Sequence, residues 1–185
     1  ETGPVRSGYF SVDMSTSLNA AFSITAALFR RHVTGEGQRI DISMLDTAMM
    51  MQAPQMTAYT VSGVLPELLG NQSPTKQPTS NVFESLDGYV QIIAMKESQV
   101  EKLFKVLGHE KDYVKYSDPS TRLKCTDEIN AILHPIIAGQ TTAHWLQVFN
   151  QAGLPVSSIQ NLAEAAAQAQ FDHRLTFTEI DRPGG

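Results

Sequence analysis

Cysteine is nearly absent: Cys125 is the one thiol in 185 residues. That excludes an internal disulfide and a metal cluster held by several thiolates. An excess of cationic charge is missing too. The chain has 14 Lys and Arg against 19 Asp and Glu, a net charge of −5, so nucleic acid is not an expected partner. No apolar run approaches the ~20 residues of a membrane-spanning helix, so no membrane partner is expected either. The opening Glu1-Thr2-Gly3-Pro4 has neither the basic nor the apolar region of a secretory signal. Together with the lone thiol, these features set the expectation of a reducing, cytoplasmic setting.

Several catalytic motifs are also lacking. His32, His109, His134, His144 and His173 are scattered, and none has a second ligand at helical or strand spacing. His109-Glu110 has no downstream histidine to complete a zinc-protease helix, so no metal site is expected. The Gly35-Glu36-Gly37 turn precedes an extended segment instead of following one and gains no third glycine, which excludes a dinucleotide fingerprint. No Gly-x-Ser-x-Gly elbow is present for a serine hydrolase.

What is present is a mixed α/β pattern. Apolar residues recur at Leu18, Ala21, Phe22, Thr25/Ala26 and Phe29, the spacing of one helix face. Arg30, Arg31 and His32 suit the negative end of that helix, and Gly35 stops it. Ile40, Ile42 and Met44 alternate with polar residues and predict a strand; a helix over about 45–59, interrupted near Pro54, follows. One strand between two helices needs a sheet from elsewhere. Residues 1–61 therefore read as a segment of a larger α/β domain. The Gly3-Pro4 start and the Arg182-Pro183-Gly184-Gly185 end give the impression of a piece cut from a longer protein.

Residues 62–80, with three prolines and two glycines, read as a linker or surface loop. Residues 81–185 read as a small α+β domain. A hairpin is expected around Asp87-Gly88 and a helix on Val100, Leu103, Phe104 and Leu107, ended by Gly108. A second helix carries Ile129, Ile132, Leu133 and Ile136. A third, capped by Thr141 or Thr142, carries Trp145 and Phe149 and ends at Gly153. "LPVSSI" predicts a short strand, "NLAEAAAQAQ" a capped helix and "LTFTEI" a final strand. As an isolated chain, residues 1–60 are expected to associate or stay loosely ordered, and residues 80–185 to fold independently.

Asp13 has two readings. It is an acceptable helix cap or first-turn acid, stabilised by unpaired N–H groups. The same position holds a carboxylate ionised and oriented, as a carboxylate nucleophile requires. Its neighbours Ser7-Gly8 and Ser15-Thr16-Ser17 are small enough to admit a substrate. The residues by themselves leave both readings open.

The order Gly3-Pro4, Ser7-Gly8, Asp13 and "AALFRRHVTGEGQRIDISMLD", continuing through Gly70-Asn71, Asp87-Gly88-Tyr89, Trp145 and "AGLPVSSI", resembles the family III CoA-transferases. That group contains formyl-CoA and carnitine CoA-transferases and α-methylacyl-CoA racemase. The resemblance implies that residues 1–61 belong to a large Rossmann-like domain, with the sites for most of the CoA nucleotide outside this chain. It implies Asp13 as the acyl-accepting nucleophile and Met44, Gly70, Asn71 and Gln72 as substrate- or CoA-binding residues. It further implies an acyl-CoA thioester as donor, a carboxylic acid as acceptor, an interlocked homodimer, and no metal or covalently bound cofactor. The formyl-CoA branch carries a run of glycines after Gly-Asn. Here Gln72-Ser73-Pro74-Thr75-Lys76 follows Gly70-Asn71, so formyl-CoA specificity is not expected. The alternatives are a racemase of the same superfamily and a non-catalytic structural or dimerisation fragment.

Overall fold

The computed structural model describes residues 7–180. The chain divides into two units, with the boundary between Leu68 and Leu69. Gly3-Pro4 and Arg182-Pro183-Gly184-Gly185 lie outside the described residues.

The first unit is helical. Helix α1 spans Ser11–Thr34, seven residues longer at its start than the apolar periodicity predicts. Its polar first turns are compatible with a helix because their hydroxyls bond back along it. Thr16 Oγ1 donates to the Val12 carbonyl at 2.7 Å and Ser17 Oγ to the Asp13 carbonyl at 2.9 Å. Gly35, at φ 76°, ends the helix as predicted, and its N–H donates to the Arg31 carbonyl at 2.8 Å.

The strand expected at Ile40, Ile42 and Met44 does not form. Residues 36–43 are irregular, and Met44 is the first residue of helix α2, Met44–Met51. A strand exists only through pairing, and among the described residues of this unit no second strand is present to pair with. What reads as strand alternation at Ser43-Met44 is a helix start: Ser43 Oγ accepts from the Asp46 N–H at 3.2 Å. The interrupted second helix resolves into α2 and α3, Ala53–Ser62, with Pro54 in the opening turn of α3, where its missing N–H removes no bond. Asn19 on α1 donates to Thr47 on α2 at 3.3 Å. Thr47 is the only buried residue among the described residues of this unit.

Helix α1 buries no side chain at all. Met14, Leu18, Phe22, Phe29 and Val33 share its apolar stripe, and Phe22 is 75% exposed. An uncovered stripe of this kind favours association. The 185-residue chain purified alone is expected to self-associate in sedimentation analysis, and Phe22→Glu with Phe29→Glu should shift it toward monomer. A monodisperse, well-protected monomer in hydrogen exchange would contradict this.

The second unit has a closed core. Strands β1, Ser80–Ser85, and β2, Gly88–Ile93, form an antiparallel hairpin, and β3, Val156–Ser158, pairs antiparallel with β2. The sheet order is β1-β2-β3. The hairpin turn is Leu86-Asp87, with Ser85 opposite Gly88. Gly88 eases a close approach: a Cβ there would stand 3.2 Å from Thr142 Oγ1, which would have to give by a few tenths of an ångström. Asp87 Oδ1 accepts from the Thr142 N–H at 2.7 Å, fixing the hairpin to helix α8, Thr142–Gln151.

Phe83, Val90 and Ile92 form the buried face of this sheet. Helix α4, Glu97–Val106, brings Val100, Leu103 and Phe104, and α7, Thr126–Ala138, brings Ile129, Leu133 and Ile137. Trp145 and Phe149 of α8 stack with ring centroids 5.1 Å apart. The Trp145 indole N–H, buried with the ring, donates to the Ile137 carbonyl at 2.7 Å.

Two short helices without apolar periodicity escape the sequence reading: α5, Glu110–Tyr116, and α6, Pro119–Lys124. Asn161 caps the alanine-rich segment as expected, its Oδ1 accepting from the N–H groups of Ala163 and Glu164. The helix stops after five residues as α9, Leu162–Ala166, and α10, Ala169–His173, follows. The final strand is a further correction. Leu175 adopts φ 51°, which turns the chain, and residues 175–180 pair with no strand. Leu175 is 81% exposed, and Phe177 contacts only the edge of Phe171 among the aromatic rings. The alternation in "LTFTEI" has no sheet edge to answer it.

The largest fully buried side chain of the unit is Arg122. Its Nη1 donates to Glu97 Oε2 at 2.8 Å and to the Tyr116 and Ser117 carbonyls at 2.9 Å each. Nη2 reaches Glu97 Oε1 at 2.6 Å, and Nε reaches Gln77 Oε1 at 3.2 Å. The Arg122 hydrogen bonds hold the Glu97 carboxyl below its ordinary range. A carboxylate depressed in the folded state contributes stability above its unfolded value, lost as pH falls through the folded one. Asp87, Asp118 and Glu128 are depressed as well, by bonds from Thr142, Thr121 and Lys115 respectively. The urea midpoint should therefore fall as pH drops below about 4.5. Glu97→Gln should flatten part of that slope. At pH 7 Glu97→Ala should cost about 2 kcal/mol, less than for a fully buried pair because Glu97 is half-exposed while Arg122 is not.

Candidate functional site

Asp13 is the third residue of α1, and Phe10 occupies the cap position without a side-chain hydrogen bond. The residue is thus a first-turn acid and not the cap. Among the described residues its carboxylate has no hydrogen-bond or ion-pair partner; only its backbone carbonyl is engaged, by Ser17. The carboxylate is exposed, in the first turn of a helix of 24 residues. Residues 7–13 line an open hollow of about 490 Å³. Gly8 bends into it at φ 78°, and Ser7 Oγ closes a small turn on the Tyr9 carbonyl at 3.0 Å. Ser7, Gly8 and Ser11 share the lining with the larger Tyr9, Phe10 and Val12. The arrangement offers an exposed carboxylate, unpaired among the described residues, to an electrophile.

Met44 lies in the same unit at the start of α2, half-exposed, and does not line the Asp13 hollow. Gly70, Asn71 and Gln72 open the second unit. Gly70 sits at φ 58°, and the Gln72 N–H donates to the Leu69 carbonyl at 3.1 Å, forming a tight turn. Asn71 and Gln72 line a second hollow, of about 300 Å³. Ser73, Asn81 and Gln91 share it, and the sequence reading did not single them out. One signal was available: Gln91 interrupts the otherwise apolar strand "YVQIIAM" on the face opposite Val90 and Ile92.

Three of the five histidines serve packing and local bonding. His109 Nδ1 lies 2.7 Å from Asp112 Oδ2, His134 packs on Phe83 with centroids 5.0 Å apart, and His144 meets the edge of Trp145. Among the described residues, no group of three or more His, Cys, Asp or Glu is placed to hold a metal ion, and no helix is long and apolar enough to cross a membrane.

Against known proteins, the profile of CoA-transferase family III matches residues 1–185. An acyl-CoA transferase of Fusarium pseudograminearum is 32% identical over 96% of this chain and 39% of its own length. An acetyl-CoA:oxalate CoA-transferase of Acetobacter aceti is 29% identical over 88% of this chain and 42% of its own. The crystal structure of a CaiB/BaiF family protein from Brucella suis superposes with a TM-score of 0.79 at 27% identity, covering 92% of this chain and 46% of that one. The chain belongs to CoA-transferase family III. It spans less than half the length of these relatives.

Gly70 provides a test of the second hollow's backbone. A Cβ at this position meets nothing within 4 Å, so a substitution is opposed by the positive φ alone. Gly70→Ala should lower stability by about 1 kcal/mol in urea titration without disturbing the core. A neutral or stabilising result would show that the turn is not held at φ 58°.

Proposed function

We propose that the whole protein transfers CoA from an acyl-CoA thioester to a carboxylic acid, with Asp13 as the nucleophile. The observation that carries this reading is a carboxylate in the first turn of α1, exposed, unpaired among the described residues and lining an open hollow, in a chain of this family. An acid serving only as a cap would accept backbone N–H bonds, and Asp13 accepts none.

The chemistry proceeds in balanced steps. A carboxylate oxygen of Asp13 attacks the thioester carbonyl, the C–S bond breaks, and a mixed anhydride and CoA thiolate result. The thiolate attacks the aspartyl carbonyl of the anhydride, releasing the donor acid and leaving an aspartyl-CoA thioester. The acceptor carboxylate then attacks that thioester to give a second mixed anhydride and CoA thiolate again. Finally the thiolate attacks the acceptor's acyl carbon, producing the new acyl-CoA and restoring Asp13. A carboxylate suits the role because each acyl derivative it forms stays open to further attack.

Gly70, Asn71 and Gln72 line substrate in this reading, and Met44 borders the CoA thioester. An interlocked homodimer, a cytoplasmic location and a CoA thioester as substrate, with no resident cofactor, belong to the same reading. The uncovered stripe of α1 supports an extensive partner surface.

In the full-length enzyme, incubation with an acyl-CoA donor should leave an acyl or CoA adduct on Asp13, detectable by mass spectrometry and removed by hydroxylamine. Asp13→Asn keeps the shape and should abolish transfer by at least about a thousandfold while leaving the urea midpoint within about 0.5 kcal/mol. Transfer that survives this change, or an adduct on another residue, would overturn the assignment.

A further inference from the structure

Two aromatic side chains stand beside Asp13 where local helix energetics call for polar ones. Tyr9 and Phe10 immediately precede α1, are 69% and 76% exposed, and line the same 490 Å³ hollow as Asp13. Phe10 is the cap residue and Asp13 the third residue of the helix. In a capping box these two positions hold Ser or Thr and Glu or Gln, because their side chains are close enough to serve each other's backbone. Here the pair is a phenyl ring and a carboxylate, and the ring makes no capping bond. Tyr9 and Met14 hold the two staple positions around the cap, yet both stay exposed, so Tyr9 is not folded down onto the helix.

The backbone beneath the two rings is fixed, and the rings themselves are unused. The Tyr9 carbonyl accepts from Ser7 Oγ and from the Ser11 N–H, each at 3.0 Å, and the Phe10 carbonyl accepts from the Met14 N–H at 3.0 Å. Among the described residues neither ring touches another ring, and the Tyr9 hydroxyl has no hydrogen-bond partner. Held in this way, the rings offer flat apolar surface at little ordering cost to a ligand. When Asp13 carries an acyl group, that group begins one bond from the carboxylate and lies in the hollow the rings line. A flat ring takes a flat or branched apolar group by burial and by offset or edge contact. Among the described residues lining the hollow, Asp13 is the only charged one. A second carboxylate on the acyl chain would meet a like charge there and no opposite one.

We propose that Tyr9 and Phe10 select the acyl group, favouring donors whose acyl part is aromatic or branched and apolar over donors whose acyl part ends in a second carboxylate. The proposal rests on the reading of Asp13 as nucleophile and deepens it to a substrate class.

The test uses the full-length enzyme, with benzoyl-CoA and succinyl-CoA as donors and acetate as the common acceptor. Wild-type kcat/KM should favour benzoyl-CoA by roughly tenfold or more, the scale of one aromatic contact together with an unpaired charge. Tyr9→Leu and Phe10→Leu keep an apolar side chain and remove the ring. Each should lower kcat/KM for benzoyl-CoA about fivefold and leave that for succinyl-CoA within about twofold, with native circular dichroism. Binding is read separately by saturation-transfer NMR with benzoate. Its ring protons should receive saturation from the wild type and lose most of it in the Tyr9→Leu/Phe10→Leu double variant. A wild-type preference for succinyl-CoA, an equal loss on both donors, or a benzoate signal unmoved by the double substitution would overturn the proposal. Equal loss would mark the rings as support for neighbouring chain and not as contacts for substrate. Absence of an Asp13 adduct with either donor would instead indict the transferase reading. The benzoate signal needs no adduct, so it decides the part of the rings in either case.

Discussion

A guanidinium group cannot be left alone inside a protein, and the second unit is organised around that constraint. Arg122 is 1% exposed and makes five hydrogen bonds. To supply the acceptors, the N-terminus of α4 must bring Glu97, the end of α5 must present the Tyr116 and Ser117 carbonyls, and the loop before β1 must hold Gln77. The position of α6 is set in turn, since Asp118 caps it and directs Arg122 inward. Burial of such a pair adds little net stability in general; its effect is on which arrangement is allowed. Any packing that moves α4 from α5, or releases the loop, strands a charge. The segment before β1 that carries Gln77 is thus positioned by the same interaction that positions the helices.

The first unit shows what happens without such a constraint. Among its described residues Thr47 alone is buried, while α1 displays Phe22 and Phe29 to solvent. At roughly 25 cal/mol for each Å² of apolar surface removed from water, two uncovered phenylalanines forgo several kcal/mol. Helix α1 is nevertheless regular, because alanine-rich sequence and hydroxyls bonded to their own turns favour helix locally. Its amphipathic pattern is therefore an instruction for contact with further surface, and the relatives, more than twice as long, have further surface to offer.

Legibility in the sequence followed the range of the interactions. Elements set by neighbouring residues were readable: α1 and its Gly35 stop, the hairpin, α4, α7 and α8, and the Asn161 cap. The two strands that failed, at Ile40–Met44 and in "LTFTEI", have the alternation of strands but no partner, and alternation carries no information about partners. Helices α5 and α6 were missed because they are short and are held by distant groups: Tyr116 by Glu128, and Arg122 by Glu97 and Gln77. At the candidate site, Asp13 was singled out through resemblance to a family and not through physics. Gln91 left one trace in the sequence, its interruption of an apolar run, but that it and Asn81 line a hollow depends on the folded sheet and its loop.

Several carboxylates of this chain are engaged in holding the fold, and the contrast bears on Asp13. Asp87 accepts the Thr142 N–H, Asp118 the Thr121 N–H and Glu97 the Arg122 guanidinium. Each is engaged in holding the fold, and each is shifted toward the ionised form by the bonds it accepts. A lone pair given to an N–H is a poorer nucleophile, because attack must break that bond first. Asp13 occupies a position where capping is available, in a helix whose cap residue Phe10 contributes no side-chain bond, and it is not used that way. Local energetics would favour Ser, Thr or Asn at residue 10 and would satisfy the first turn there. The fold instead leaves both the turn and the acid open to the hollow. Where a local rule is broken without a compensating contact, function is the common reason; exposed acids such as Glu101 and Glu110 also lack a partner among the described residues, and what sets Asp13 apart is its place in an uncapped first turn beside an open hollow.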